Sequence, residues 1–408
     1  MAVPASRFWL LAVLGLAAAL PFYRWCWGVD APDLQEFLVP WYRHIVETGR
    51  WAAFAAPFSN YSPPYLYALS VVSLFDGLAS PASLIRALSL LITLLLGATL
   101  YRLLRAGEAR RPEAALLLFA MPSVAINAAM LGQCDALWAA PCLMAVAAAM
   151  RREAVPMLAW CGIAFAIKAQ AIFIAPFAFG ALLTMRPRWF YWLIPGAAWL
   201  ACMAPALAAG WPLHDLLTVY LRQSQEYPRI NLGAANLWLP LGYLGQDRAP
   251  IGFGVAYALT AVVALACAWA TIRAARTKLA SADWLALALL PALAMPFVMP
   301  MMHERYFFLA DVLSLALALT ARDSRAVLIA VAIQLGSTLA LFAYITGESV
   351  VHLHQQAGFG ALGTLALAAN AVALALVARW VWTLARRRPT AEMDPAWLIP
   401  RSTVSAPS

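Results

Sequence analysis

Long apolar runs alternate with short basic or polar breaks along almost the whole chain. The runs cover roughly residues 8–22, 83–104, 112–131, 136–150, 154–168, 170–185, 189–209, 251–272, 283–300, 304–320, 326–345 and 360–384. Many approach the roughly 20 residues that cross a bilayer as a helix. Water is absent from the bilayer core, so a spanning segment must satisfy its backbone internally, which favours helices. The pattern predicts an all-α, polytopic transmembrane bundle of about twelve spans. The first run, Phe8–Phe22, has the length of a signal peptide. It follows a single Arg and ends in Pro21-Phe22-Tyr23, a poor cleavage site, so it reads as a retained helix.

The polar breaks carry a side preference. Arg102, Arg105, Arg110 and Arg111 form one cluster. Arg151/Arg152, Arg186/Arg188, Arg273/Arg276/Lys278, Arg322/Arg325 and Arg386–Arg388 form the others. With both termini cytoplasmic, every cluster falls inside, as the positive-inside bias requires. The apolar segment Pro63–Leu78 must then stay outside, as a juxtamembrane or re-entrant helix of a first outer loop over residues 23–81. Residues 1–388 read as one membrane domain, and the Pro-, Ser- and Thr-rich residues 389–408 as a disordered cytoplasmic tail.

Composition agrees with this class. Hydrophobic residues make up 64% and charged residues 12%, against about 45–50% and 25% in soluble domains. The net charge of +9 is an orientation signal and calls for no nucleic-acid partner. Six cysteines without a CxxC pair imply neither a disulfide frame nor a zinc site. No metal-ligand motif and no phosphate-cradling glycine loop occurs, so neither a metal nor a cofactor is expected.

Chemistry enters where charge interrupts the apolar runs, because a charge inside a membrane protein costs several kcal/mol unless it has a partner or a task. The sharpest interruption is Met302-His303-Glu304-Arg305-Tyr306; Gly132-Gln133-Cys134-Asp135 and Lys168-Ala169-Gln170 are two more. The first loop adds Asp30, Asp33 and Glu36, then Asn60-Tyr61-Ser62-Pro63-Pro64-Tyr65. Each has a bland reading. Asp33 opens a helix whose apolar face is Phe37, Trp41, Tyr42 and Ile45, and it is either an N-cap or a general base. Arg86 either snorkels to headgroups or binds a phosphate. Asp135 needs a partner, and Lys168 is the obvious one. His303-Glu304-Arg305 is either an ion pair at a helix start or part of a site.

Taken in order, these motifs resemble membrane glycosyltransferases of the GT-C superfamily, in particular the bacterial group related to the enzyme that adds the second mannose of GPI anchors. The matching residues are Asp33, Phe37-Leu38-Val39-Pro40-Trp41-Tyr42, Asn60–Tyr67, Gly132–Asp135, Lys168–Pro176 and Met302–Tyr306; Leu34 stands where the family has an aromatic residue. The resemblance implies transfer of a hexose, mannose among the candidates, from a polyprenyl-phosphate sugar to a lipid-linked or other envelope glycan acceptor. It implies Asp33 as the base, with Gln133 and Asp135 among the substrate-binding groups. Available cations for the donor phosphate are Arg86, Lys168, His303 and Arg305. Tyr61, Gln170, Asn231, Asn236 and Glu304 complete the candidates for binding sugar or acceptor. The implied location is a bacterial inner membrane, in contact with its lipids, with the site facing outward. A polyprenyl-linked substrate transporter or flippase, or a non-catalytic lipid-binding scaffold, is the alternative. A transporter would be expected to show inverted repeats and midplane charges, and the sequence shows neither.

Overall fold

Each uninterrupted apolar run folds as a helix in the computed structural model, which describes residues 5–226, 228–246, 248, 250–348 and 360–388. The chain is an all-α membrane helix bundle; the only ladder among the described residues is a two-residue parallel pairing of Asn231–Leu232 with Met302–His303. The tail expected over 389–408 lies outside the described residues.

Among the described residues six helices are long and apolar enough to cross a bilayer: Pro81–Ala106, Trp189–Ala209, Ile251–Ala274, Ser281–Val298, Ser324–Ile345 and Ala361–Ala385. Pro112–Ala120 and Pro122–Met130, bent by 65° at Met121, make a seventh if they count as one crossing. The expected twelve is therefore not reached on length alone. Asp135–Met150, Ala154–Ile167, Ala169–Met185 and Phe308–Thr320 are apolar but shorter, and so is Pro63–Phe75 in the first loop. Part of the shortfall lies in local geometry. Pro112–Ala120 and Ala169–Ile174 wind as 3₁₀ helix, which rises about 2.0 Å per residue instead of 1.5 Å, so fewer residues cover a given thickness.

Two boundaries differ from the hydropathy reading in ways that matter. The first helix runs Ala5–Gly28, so Tyr23–Trp27 are helical and the loop begins later than residue 23. The helix expected from residue 304 starts at Phe308. His303-Glu304-Arg305 therefore lies in strand and turn, which removes the helix-start reading of those charges.

At the centre stands Ser281–Val298, buried along nearly its full length. It packs against Phe308–Thr320, Ala361–Ala385 and Pro250–Ala274. The short chain after it, 299–307, emerges from the core with Met301 at φ +60°, a left-handed conformation that costs a side-chain-bearing residue roughly 1–2 kcal/mol. Its backbone is held by Ile230 O, which accepts from Met301 N at 2.8 Å, and by the pairing with Asn231–Leu232.

Candidate active site

The first loop delivers Asp33 through an unusual turn. Leu34–Leu38 wind as π-helix before the regular helix Val39–Thr48. Of the expected apolar face Trp41, Tyr42 and Ile45 are buried, and Leu34 and Leu38 join them, whereas Phe37 is half-buried and lines the cavity described below. Asp33 occupies the N-cap position but makes no capping bond with its side chain. Its carboxylate points instead into a cavity of about 420 Å³. Widened turns of this kind are frequent at functional sites.

Three side chains from distant parts of the chain hold that carboxylate. Arg305 Nη1 lies 2.9 Å from Asp33 Oδ2. Gln133 Nε2 donates to the same oxygen at 3.1 Å, and Tyr344 OH donates to Oδ1 at 3.0 Å. Arg305 Nη1 also reaches Glu304 Oε1 at 2.8 Å, and His303 Nδ1 lies 3.7 Å from Glu304 Oε2. Glu304 is fully buried. Burial alone would raise its carboxyl, but the Arg305 guanidinium and His303 overcome this and hold it down at about 2. The same two carboxylates, Asp33 and Glu304, outweigh burial at Arg305 and hold its guanidinium firmly charged.

A second, deeper network supports Gln133. Tyr61 OH donates to Gln133 Oε1 at 2.8 Å, and burial pushes the Tyr61 phenol well above its ordinary value, so it stays a donor. Gly132 sits at φ +62°, and a Cβ there would meet Ile85 at 3.1 Å and Leu34 at 3.2 Å. Glycine is thus required both by the turn and by the approach of the π-turn that carries Asp33. Beneath Tyr61, Lys168 Nζ contacts Asp135 Oδ1 at 2.7 Å and lies 5.1 Å from the Tyr61 ring centroid. Asn127 Nδ2 donates to Asp135 Oδ2 at 2.7 Å and Trp138 Nε1 to Oδ1 at 2.9 Å. The partner expected for Asp135 is therefore Lys168.

The sequence candidates divide by position. Asp33, Tyr61, Gln133, Gln170, His303 and Arg305 line the cavity. Gln170 Oε1 is buried at the cavity wall without a hydrogen-bond partner, an acceptor with unused capacity. The other six stand behind the wall. Lys168, 3% exposed, is committed to Asp135. Arg86 donates to Val29 O and sits 3.9 Å from Asp30, bracing the chain that leads into Asp33. Glu304 sits behind Arg305. Asn231 and Asn236 are fully buried and hold backbone: Asn231 Nδ2 donates to Ala234 O and Asn236 Oδ1, and Asn236 Nδ2 to Pro296 O and Met299 O. An amide whose donors are spent on buried carbonyls has little left for a sugar. Of four expected phosphate-binding cations, Arg305 and His303 reach the cavity.

Tyr344, Tyr220, Tyr257, Glu36 and Glu226 also line the cavity, and the sequence motifs did not mark the first three or Glu226 as site residues. Tyr344 ends an apolar helix, Ser324–Ile345, where a tyrosine reads as an interfacial anchor. Tyr220 and Glu226 lie on Leu213–Glu226, whose one-sided polar pattern was the available signal.

Among the described residues no group of three or more His, Cys, Asp or Glu side chains could hold a metal ion. Compared with known proteins, the chain matches no family model and no curated sequence.

Proposed function

We propose that this chain is a multi-pass membrane glycosyltransferase of GT-C type that moves a hexose from a polyprenyl-phosphate sugar to an envelope acceptor. One observation carries the reading. Motifs separated along the chain, from Asp33 to Tyr306, share one cavity, and an oriented carboxylate stands on its wall beside a fixed cation.

In the proposed step Asp33 accepts the proton of an acceptor hydroxyl as that oxygen bonds to the anomeric carbon. The bond from that carbon to the donor phosphate oxygen breaks on the opposite face, with inversion, and its electron pair leaves with the phosphate. Arg305 and His303 are the cavity-facing groups suited to stabilising that growing charge. Gln133, Gln170 and Tyr61 offer amide and hydroxyl groups to sugar hydroxyls. Lys168, Asp135 and Arg86 act at one remove, by holding Tyr61, Gln133 and the approach to Asp33.

The finer topology belongs to the same proposal: about twelve crossings, in a bacterial inner membrane, with the site on the outer face. Ala169–Met185 supports the higher count. Six 3₁₀ residues and eleven α residues extend about 28 Å at their respective rises, close to the roughly 30 Å hydrocarbon thickness.

Transfer from a synthetic polyprenyl-phosphate hexose by the purified protein tests the reading. Asp33→Asn should lower turnover on the order of 10²–10⁴-fold while the protein still folds and binds donor. Unchanged turnover would reject Asp33 as the base; donor binding with no transfer by the parent protein would leave a lipid-binding scaffold.

A further inference from the structure

Next to the cavity that holds Asp33 lies a more open groove of about 630 Å³. The two share Phe37, Trp41, Asn60, Gln223 and Glu226 as common walls. The groove adds Phe58 and Arg222 on its far side. It is formed where the first loop faces the amphipathic helix Leu213–Glu226.

Its chemistry is specific. Phe37, Trp41 and Phe58 present aromatic surface, and two of these rings are held in place by others. Phe58 stacks on His44 at 4.6 Å, and Trp41 rests on Tyr61 at 4.9 Å. Tyr61 is the residue that donates to Gln133, so the groove floor is mechanically joined to the Asp33 network. Around the aromatics stand neutral amides and one acid. Asn60 Nδ2 donates to Glu226 Oε2 at 2.6 Å, bridging the two sides, while Asn60 Oδ1 is buried with no hydrogen-bond partner.

Charge decides what such a surface can take. Arg222 is the groove's basic residue, and it is committed. Its Nη1 lies 2.8 Å from Asp215 Oδ1 and its Nη2 donates to Asp215 O at 2.8 Å. Glu226 adds a negative charge. A phosphorylated or carboxylated ligand would meet the Glu226 carboxylate and an arginine whose charge is already shared with Asp215, a juxtaposition that favours it less than a neutral one. A neutral polyol has the opposite fit: apolar C–H faces for the fixed rings and hydroxyls for Asn60, Gln223 and Glu226.

We propose that this groove binds an uncharged sugar unit of the acceptor and leads its reactive hydroxyl toward Asp33. The inference rests on the glycosyl-transfer reading for its last clause and on the groove's own chemistry for the rest. The two substrates are then sorted by charge: the anionic donor beside Arg305 and His303, the neutral acceptor over Phe37, Trp41 and Phe58.

The test is saturation-transfer NMR on the full chain in phospholipid nanodiscs, free of sugar-based detergent. The probes are methyl α-mannoside, methyl β-glucoside and glucose 6-phosphate. The neutral glycosides should receive saturation and the phosphate should receive less. Phe58→Ala should weaken glycoside binding by about threefold to tenfold, the range expected for one lost aromatic stack. Phe58→Leu and Gln223→Ala, milder changes, should each weaken it less. Equal binding in all the groove variants, stronger binding of the 6-phosphate, or no glycoside binding at millimolar concentration would overturn the proposal. The reaction is judged separately. Phe58-dependent glycoside binding without transfer would sink the transferase and keep the groove. Transfer whose acceptor KM ignores Phe58 would do the reverse.

Discussion

Arg305 grips Asp33 and Glu304 with a single nitrogen: Nη1 lies 2.9 Å from Asp33 Oδ2 and 2.8 Å from Glu304 Oε1. One carboxylate faces the cavity and the other is fully buried, so the guanidinium links the cavity wall to the protein interior. Removing it leaves Glu304 buried without its main counter-charge. Arg305→Met should therefore destabilise by about 3–5 kcal/mol, and adding Glu304→Gln should restore part of that loss. Thermal unfolding of the single and double variants in nanodiscs measures the coupling; additive losses would contradict the linkage.

The same pair sets an acid limit. Glu304 is held at about 2 in the folded protein, against about 4.3 for an unfolded glutamate. A depressed carboxyl stabilises the fold above its unfolded value, and that contribution is lost as pH falls toward the folded value. The unfolding midpoint of the parent protein should fall between about pH 4 and pH 2 more steeply than that of Glu304→Gln. Parallel acid limbs for the two proteins would show that Glu304 is not the group responsible.

Lys168 and Asp135 should behave as one unit. Lys168→Met strands a carboxylate that is 1% exposed, at a cost of about 3–5 kcal/mol. Lys168→Met combined with Asp135→Leu removes both charges and should recover most of the stability. Donor affinity, measured on whichever variants fold, should change less than stability, because Lys168 stands behind Tyr61. A large, selective loss of donor binding in a well-folded Lys168 variant would restore it to the phosphate site.

Gly132→Ala forces a left-handed conformation and presses a methyl group against Ile85 and Leu34. Backbone strain alone amounts to roughly 1–2 kcal/mol. The contact with Leu34 should also displace the turn that carries Asp33. Turnover is expected to fall more than the melting temperature would suggest, whereas Gly77→Ala, also at positive φ but with open space around it, should affect stability only. Equal effects on turnover would remove Gly132 from the positioning of Asp33.

Orientation can be tested at the ends of one long helix. Ser80 and Gly107 flank Pro81–Ala106, so single cysteines there, in a background lacking the six native ones, should label from opposite faces of the membrane. The Ser80 position is expected outside. Labelling of both from one side would undo the proposed topology.

The sequence made some of this site readable and hid the rest for physical reasons. Polar and charged residues inside or beside apolar runs stand out, so Asp33, Gln133, Gln170, His303 and Arg305 were visible as exceptions to a simple pattern. The Lys168–Asp135 pair was inferable because a buried charge of either sign needs the other. What the pattern cannot reveal is direction. Asn231 and Asn236 are as polar as Gln133, yet their amides turn inward to hold the chain beside Met302–His303. Tyr344 is a common residue at a helix end, and its bond to Asp33 is a matter of tertiary position alone. The π-turn at Leu34–Leu38 and the 3₁₀ segments change rise and facing without changing which residues are apolar, so hydropathy counts them as ordinary helix.

The three side chains that hold Asp33, two hydrogen-bond donors and one ion-pair partner, come from residues 133, 344 and 305, each on a different part of the bundle. A chain entering the membrane from its N-terminus presents the carboxylate first and the last of its holders near the end. Until Tyr344 arrives, the acid stands with only two of its three holders. A product that stops before Ser324–Ile345 would carry Asp33, Gln133 and Arg305 but lack the Tyr344 hydroxyl, so on the proposed transferase reading the order of synthesis withholds a complete site until the chain is nearly finished.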